Sequence, residues 1–154
     1  METPEYIHAE KTALRLIARA EQCSAGLARK LEKRGCDEAC TRKVISRLTE
    51  LNLLDDCRFA RLWLQSRLHF TRTPKRLLSS LCARGIGRYD AQAALKDILD
   101  KEAELALIMR YVKKYARKAA HENGLRSLKF LLKNEGFSTQ AIQSFLETES
   151  SAPA

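Results

Sequence analysis

Apolar positions in this chain follow one pattern three times. Gly35, Gly85 and Gly136 stand 50 and 51 residues apart. Leucines precede each at four and eight positions: Leu27 and Leu31, Leu77 and Leu81, Leu128 and Leu132. Cys36, Ile86 and Phe137 follow each glycine directly. Further on come Thr41, Ala91 and Ile142, then Val44, Ala94 and Phe145, then Ile45, Leu95 and Leu146. Leu-x3-Leu-x3-Gly is one face of a short helix, closed by a residue able to take the left-handed C′ conformation. The later spacing of six, nine and ten marks the buried stripe of a following helix.

A longer helix is expected to open each unit, at roughly 9–22, 56–70 and 101–120, where helical periodicity resumes. Asp55 or Asp56 is suited to cap the helix of the middle unit, and Pro74 suits the first turn of the next. Asp90, and Ser138 followed by Thr139 and Gln140, stand where the third helices should open. The expected fold is all-α: three tandem three-helix repeats forming an elongated, curved helical array. Its parts are a tail over 1–8, repeats over 9–54, 55–100 and 101–148, and a disordered polar tail over 149–154. A helix-turn-helix corner recurs in each repeat, but such corners are common in helical proteins that never touch DNA.

Composition narrows the class. The 154 residues carry 28 basic and 19 acidic side chains, a net charge of +9, with 45% hydrophobic content. That is enough apolar material for a core. The longest stretch without a charged residue, Gly136 to Leu146, falls short of the roughly 20 residues a membrane span needs. The N-terminal METPEYIHAEK lacks the apolar run of a secretory leader. Five cysteines then read as reduced thiols in a cytoplasmic chain. The charge points to a polyanionic partner, nucleic acid or an acidic protein surface.

The middle unit carries a denser motif. Asp55-Asp56-Cys57-Arg58-Phe59-Ala60-Arg61-Leu62-Trp63-Leu64-Gln65-Ser66-Arg67 resembles the signature of the RecX family. There an Asp-Asp pair opens a helix bearing Phe-Ala, an aromatic and an aliphatic residue, then Arg. Ser24 to Gly35 resembles the second helix of the family's first unit, and Leu81 to Ile86, including Gly85, its Leu-x3-Gly-Ile ending. The likeness covers about residues 10–147. One departure stands at Arg72-Thr73-Pro74, where family members often have glycine. The resemblance implies a non-enzymatic modulator of the RecA recombinase. Such a protein binds along the groove of the RecA–DNA filament and restrains ATPase, strand-exchange and co-protease activities.

Read without that likeness, the motif helix has two apolar stripes. Phe59 shares one with Leu62, Trp63, Ser66 and Phe70; Ala60, Leu64 and Leu68 form the other. Two stripes describe a helix sandwiched between neighbours. Arg67 lies between them, so it is expected to be partly buried and paired with Asp56 or another carboxylate. The motif residues Asp55, Asp56, Phe59, Ala60, Trp63, Arg67 and Gly85 are read as mainly structural.

Positive charge is unevenly placed. Basic residues outnumber acidic ones by ten to eight over 1–54, nine to five over 55–100, and nine to six over 101–154. From Cys57 to Tyr89 there is no carboxylate, against Arg58, Arg61, Arg67, Arg72, Lys75, Arg76, Arg84 and Arg88. A second acid-free window, Leu105 to His121, holds Arg110, Lys113, Lys114, Arg117 and Lys118. On a helical wheel these five oppose an apolar arc of Ile108, Met109, Tyr111, Val112, Tyr115, Ala116 and Ala119, with Leu107 the one apolar intruder on the basic side. Except for Arg67, the residues of both windows are the candidates for partner or DNA contact. Arg72, Lys75 and Arg76 lead them because free backbone amides accompany them at a helix start.

No nucleotide-binding glycine loop or nucleophile elbow is present, so no catalytic residue, cofactor or metal site is assigned. His8, His69 and His121 are far apart. Cys36 and Cys40 lack a second pair to complete a zinc site. Cys23, Cys36, Cys40, Cys57 and Cys82 are read as small buried hydrophobes. Three functions remain open: a monomeric regulator of a RecA filament, a basic helical module that binds single- or double-stranded DNA without a protein target, and an adaptor solenoid.

Overall fold

The structure, a computed structural model, describes residues 2–151, and the side chains of all of these but 116–123. The elements are α1 (Pro4–Arg19), α2 (Ser24–Lys33), α3 (Glu38–Glu50), α4 (Asp56–Arg67), α5 (Pro74–Ala83), α6 (Arg88–Ile98), α7 (Lys101–Tyr111), a π-helical turn (Val112–Ala116), α8 (Arg117–Asn134) and α9 (Thr139–Ser151). The fold is all-α, with no strand among the described residues. Gly124 breaks α8 with φ 75° and ψ −177°. Its second half, which carries Leu128 and Leu132, is therefore a separate short helix, as the leucine spacing predicts.

The three glycine corners are built alike. Gly35, Gly85 and Gly136 have φ of 91°, 94° and 90°. Each donates its amide back three residues, to Glu32, Cys82 and Lys133 at 3.0–3.1 Å. The next residue donates back five: Cys36 to Leu31, Ile86 to Leu81 and Phe137 to Leu132, at 3.1–3.2 Å. This pair of bonds satisfies carbonyls that a helix end leaves open, and it needs a left-handed residue at the corner. The apolar residue after each glycine then folds back on the helix it leaves.

By packing, the chain divides into two compact units that cut across the sequence period. One is Met1–Ala60 with Leu81–Ala91; the other is Arg61–Ser80 with Gln92–Ala154. In the first, α1, α2 and α3 enclose Tyr6, Ala9, Ala13, Leu27, Leu31, Val44, Leu48 and Leu54. In the second, α7, α8 and α9 enclose Leu107, Ile108, Leu128, Leu132, Phe137, Ala141, Ile142 and Phe145. Full burial of each such leucine or isoleucine contributes about 1.5–3 kcal/mol.

Several expectations are corrected. Residues 4–8 are helix rather than tail: Thr3 caps α1 through its Oγ1, which accepts from Tyr6 N at 3.2 Å, and Pro4 occupies the first turn. Tyr6 is buried, which anchors this end. Helix α1 stops at Arg19 and α4 at Arg67, short of the expected 22 and 70. At the other end α9 carries 149–151 in helix, and 152–154 lie outside the described residues. The double stripe of α4 reduces to one: Ala60, Trp63 and Leu64 are buried, whereas Leu62 and Phe70 are exposed. The window beginning at Leu105 is not one regular helix, because the π turn adds a residue to the register at Val112. The single helical wheel drew its apolar arc partly from residues in and beyond that turn; within α7, Leu107 is core and Met109 exposed, and Tyr115 in the turn is exposed. Among the cysteines only Cys23 is buried; Cys36, Cys40 and Cys57 are half-buried and Cys82 is exposed.

Candidate anion-binding surface

The motif helix begins with two carboxylates that do different work. Asp55 Oδ1 accepts from Arg58 N at 3.0 Å and caps α4. Asp56 Oδ1 accepts from Ser24 N at 2.7 Å and so serves α2. At its far end Arg67 stacks on rings. Its guanidinium carbon lies 5.4 Å from the Trp63 ring centre and 5.9 Å from that of Phe70. Among the described residues no carboxylate pairs with Arg67, and its Nε is buried without a hydrogen-bond partner. The predicted Asp56–Arg67 pair is therefore corrected: Asp56 is taken by Ser24, and the charge of Arg67 rests on aromatic faces.

The start of α5 is held by Thr73, which is buried. Its Oγ1 accepts from Arg76 N at 3.3 Å and donates to Glu135 Oε2 at 2.8 Å. Lys75 N donates to Glu135 O at 3.0 Å. These bonds seat the helix start against the α8–α9 corner and leave the side chains of Lys75 and Arg76 exposed. The sequence expected free backbone amides at this helix start; instead those of Lys75 and Arg76 are engaged.

Within the second unit the two acid-free windows meet. Arg110 Nη2 donates to Leu68 O at 2.6 Å, tying α7 to the chain just beyond α4. Thr71, Thr73 and Arg76 from the first window line a cavity of about 100 Å³ together with Tyr111 and Tyr115 from the second. The tyrosine rings are 5.4 Å apart and tilted by 46°, and Lys114 Nζ lies 5.1 Å from the Tyr115 ring centre. Burial pushes the Tyr111 hydroxyl above its ordinary value; the Glu135 carboxylate adds to this and Arg76 opposes it. The phenol therefore keeps its proton and remains a donor at neutral pH.

The remaining candidates sort by what they touch. Arg58 belongs to the first unit and is occupied: its Nε pairs with Glu21 at 2.7 Å, and its terminal nitrogens reach the carbonyls of Asn52 and Leu53. Arg84 and Arg88 are exposed in the same unit, and Arg84 O accepts from Cys23 Sγ at 3.5 Å. Arg61, Lys113 and Lys114 are exposed in the second unit, and Arg72 is half-buried there. The side chains of Arg117 and Lys118 lie outside the described residues. Thr71, Thr73, Tyr111 and Tyr115 were not singled out from sequence as contact residues. Tyr111 and Tyr115 fell in the apolar arc, although their spacing of four already put two phenols on one helical side.

No helix among the described residues is long and apolar enough to cross a membrane. No group of three His, Cys, Asp or Glu among them is placed to hold a metal ion.

Comparison with known proteins gives one consistent result. A family model described as RecX, first three-helix domain, matches residues 9–48. The chain is 33% identical over 142 residues to Regulatory protein RecX of Treponema pallidum (strain Nichols), covering 92% of this chain and 85% of that one. It is 31% identical over 122 residues to Regulatory protein RecX of Pseudomonas putida (strain W619), covering 79% and 76%. Among solved structures, the crystal structure of RecX from Lactobacillus salivarius is similar with a TM-score of 0.75 at 20% identity, over 94% of this chain and 96% of that one. At that identity the structural likeness speaks to the fold.

Proposed function

The chain belongs to the RecX family, and on that footing we propose that it regulates the RecA recombinase by binding the RecA–DNA filament. It lies along the filament groove and restrains ATPase, strand-exchange and co-protease activities in recombination and the DNA-damage response. It acts by contact rather than catalysis, as a cytoplasmic monomer without a cofactor.

The observation that carries this reading is the meeting of the two acid-free windows in one unit, at Arg76, Tyr111 and Tyr115. Cations gathered on one surface repel one another, so an anionic partner stabilises the assembly. Arg76 lines that meeting point, and Lys114 Nζ lies 5.1 Å from the Tyr115 ring centre; Arg72, Lys75 and Lys113 are the cations we take to extend the surface. The test is RecA's DNA-dependent ATPase, titrated with the protein and with a charge-reversed variant at Arg72, Lys75 and Arg76. The parent inhibits at additions far too small to coat the DNA, and the variant inhibits weakly while keeping its helical content. Equal inhibition by parent and variant would remove this surface from the mechanism.

A second reading, a nucleic-acid-binding module with no RecA target, draws on the aromatic rings interleaved with cations at Phe70–Arg67 and Tyr115–Lys114. Rings so placed suit stacking on unpaired bases. The same titration separates the two: a competitor for DNA inhibits only when the DNA is covered.

A further inference from the structure

The cavity lined by Thr71, Thr73, Arg76, Tyr111 and Tyr115 has a donor set more specific than a basic surface needs. Its volume, about 100 Å³, is roughly the share of three water molecules at ~30 Å³ each. That is room for one small tetrahedral ion. Among the described residues its lining holds no carboxylate, one guanidinium and four hydroxyls.

Thr73 is already engaged, donating to Glu135 and accepting from the Arg76 amide. The donors left to a ligand are the hydroxyls of Thr71, Tyr111 and Tyr115 and the guanidinium of Arg76. Glu135 is drawn toward Thr73 and does not line the space. Its charge also helps keep the proton on Tyr111. Several neutral donors around one cation match an anion with several acceptor oxygens better than they match a single carboxylate of a mobile side chain.

We propose that this cavity binds one phosphoryl oxyanion, supplied either by a nucleic-acid backbone or by free phosphate. The Arg76 guanidinium carries the charge, and the hydroxyls of Thr71, Tyr111 and Tyr115 take the remaining oxygens. This rests on the reading of the surrounding surface as anion-facing, and it adds that one phosphate is held in a formed site rather than by diffuse charge.

The experiment is direct binding in the absence of RecA, so that it is independent of filament regulation. Two probes are titrated into the full chain: inorganic phosphate, followed by NMR of the tyrosine rings, and fluorescein-labelled oligo-dT, followed by anisotropy. The informative variant is the double Thr71→Val, Tyr115→Phe, which removes two donors without changing net charge. Its affinity should fall about tenfold, as expected for lost charge-assisted hydrogen bonds. Arg76→Ala should fall at least as far and lower the salt slope of oligo-dT binding by about 0.7, the value for one phosphate of a single strand. Lys11→Ala, the same loss of charge at an exposed residue of the other unit, should do neither.

Oligo-dT that displaces inorganic phosphate identifies the backbone as the source. Inorganic phosphate that binds saturably and is not displaced identifies free phosphate. Either result supports the site. The idea is overturned if the Thr71→Val, Tyr115→Phe protein binds both probes like the parent, or if Arg76→Ala and Lys11→Ala are indistinguishable. A protein that loses phosphate binding yet still inhibits RecA ATPase would leave the site standing and free the regulatory reading from it.

Discussion

Asp56 Oδ1 accepts the backbone N–H of Ser24 at 2.7 Å, so the second carboxylate of the Asp-Asp motif caps a helix 32 residues earlier in the chain. Cys23, the residue in the N-cap position of α2, makes no side-chain cap bond. The cap is thus supplied from outside the helix, and the adjacent Asp55 performs the local one. Replacing Asp56 with Ala should therefore weaken α2, at a cost of about 1 kcal/mol, as for other N-caps. Urea unfolding of Asp55→Ala and Asp56→Ala would give similar total losses. Hydrogen exchange would separate them, with the Asp56 variant losing protection in the first turn of α2 and the Asp55 variant in that of α4. Protection lost only in α4 for both would contradict the assignment.

Gly35 and Gly85 share a backbone conformation and differ in surroundings. A Cβ on Gly35 would meet nothing within 4 Å, whereas one on Gly85 would collide with Ala25 Cβ. Gly35→Ala should cost only the left-handed strain, about 1–2 kcal/mol. Gly85→Ala should add an overpacking penalty of about 1–3 kcal/mol. Chemical denaturation of both variants checks the order. A double-mutant cycle with Ala25→Gly sharpens it, because removing the facing methyl should return part of the Gly85→Ala loss.

Arg67 and Asp56 should be energetically independent. One stacks on Trp63 and Phe70 and the other bonds Ser24. Substituting both to Ala should give the sum of the single losses within about 0.5 kcal/mol, whereas a salt bridge would leave a larger coupling. Trp63 is the chain's one tryptophan, so its emission reports the stack directly. It should shift in Arg67→Ala and stay as it is in Asp56→Ala.

What could be read from the sequence divides along a physical line. The corners at Gly35, Gly85 and Gly136 were legible because leucine spacing and a left-handed residue act within ten positions. Pro74 at the start of α5 and the cap at Ser138, whose Oγ accepts from Ala141 N at 3.2 Å, are local in the same way. The partner of Asp56 was not legible, since it depends on which distant helix start comes near. Leu107 was misplaced because the apolar arc was drawn partly through Val112, Tyr115, Ala116 and Ala119, which lie in or beyond the pitch change at Val112, and not from α7 alone. The hydroxyl-lined cavity was hidden for both reasons. Thr71 and Tyr115 meet across more than forty residues, and the tyrosines lie at the edge of the π turn. Charge windows could be drawn from composition, but their meeting is a property of packing.

Asp37 ties the stability of α3 to pH. It caps that helix by accepting from Cys40 N at a distance of 2.6 Å. The bonds with Cys40 hold its carboxyl below the usual carboxylate range, and those with the Ala39 amide and the charge of Lys43 act in the same direction. The folded state therefore binds this proton less readily than the unfolded chain does. Stability from the charged form is fully present above the ordinary carboxylate range and is lost as pH falls through the depressed folded value. Asp37→Asn keeps a side-chain oxygen at the cap and removes the ionisation. Thermal midpoints of parent and variant, measured across the acid range, should show the parent's advantage at neutral pH shrinking as the pH drops. The other carboxylates are common to both proteins and cancel in the difference. A gap between the two curves that stays constant down to the lowest pH would mean that Asp37 caps the helix without its charge contributing to stability.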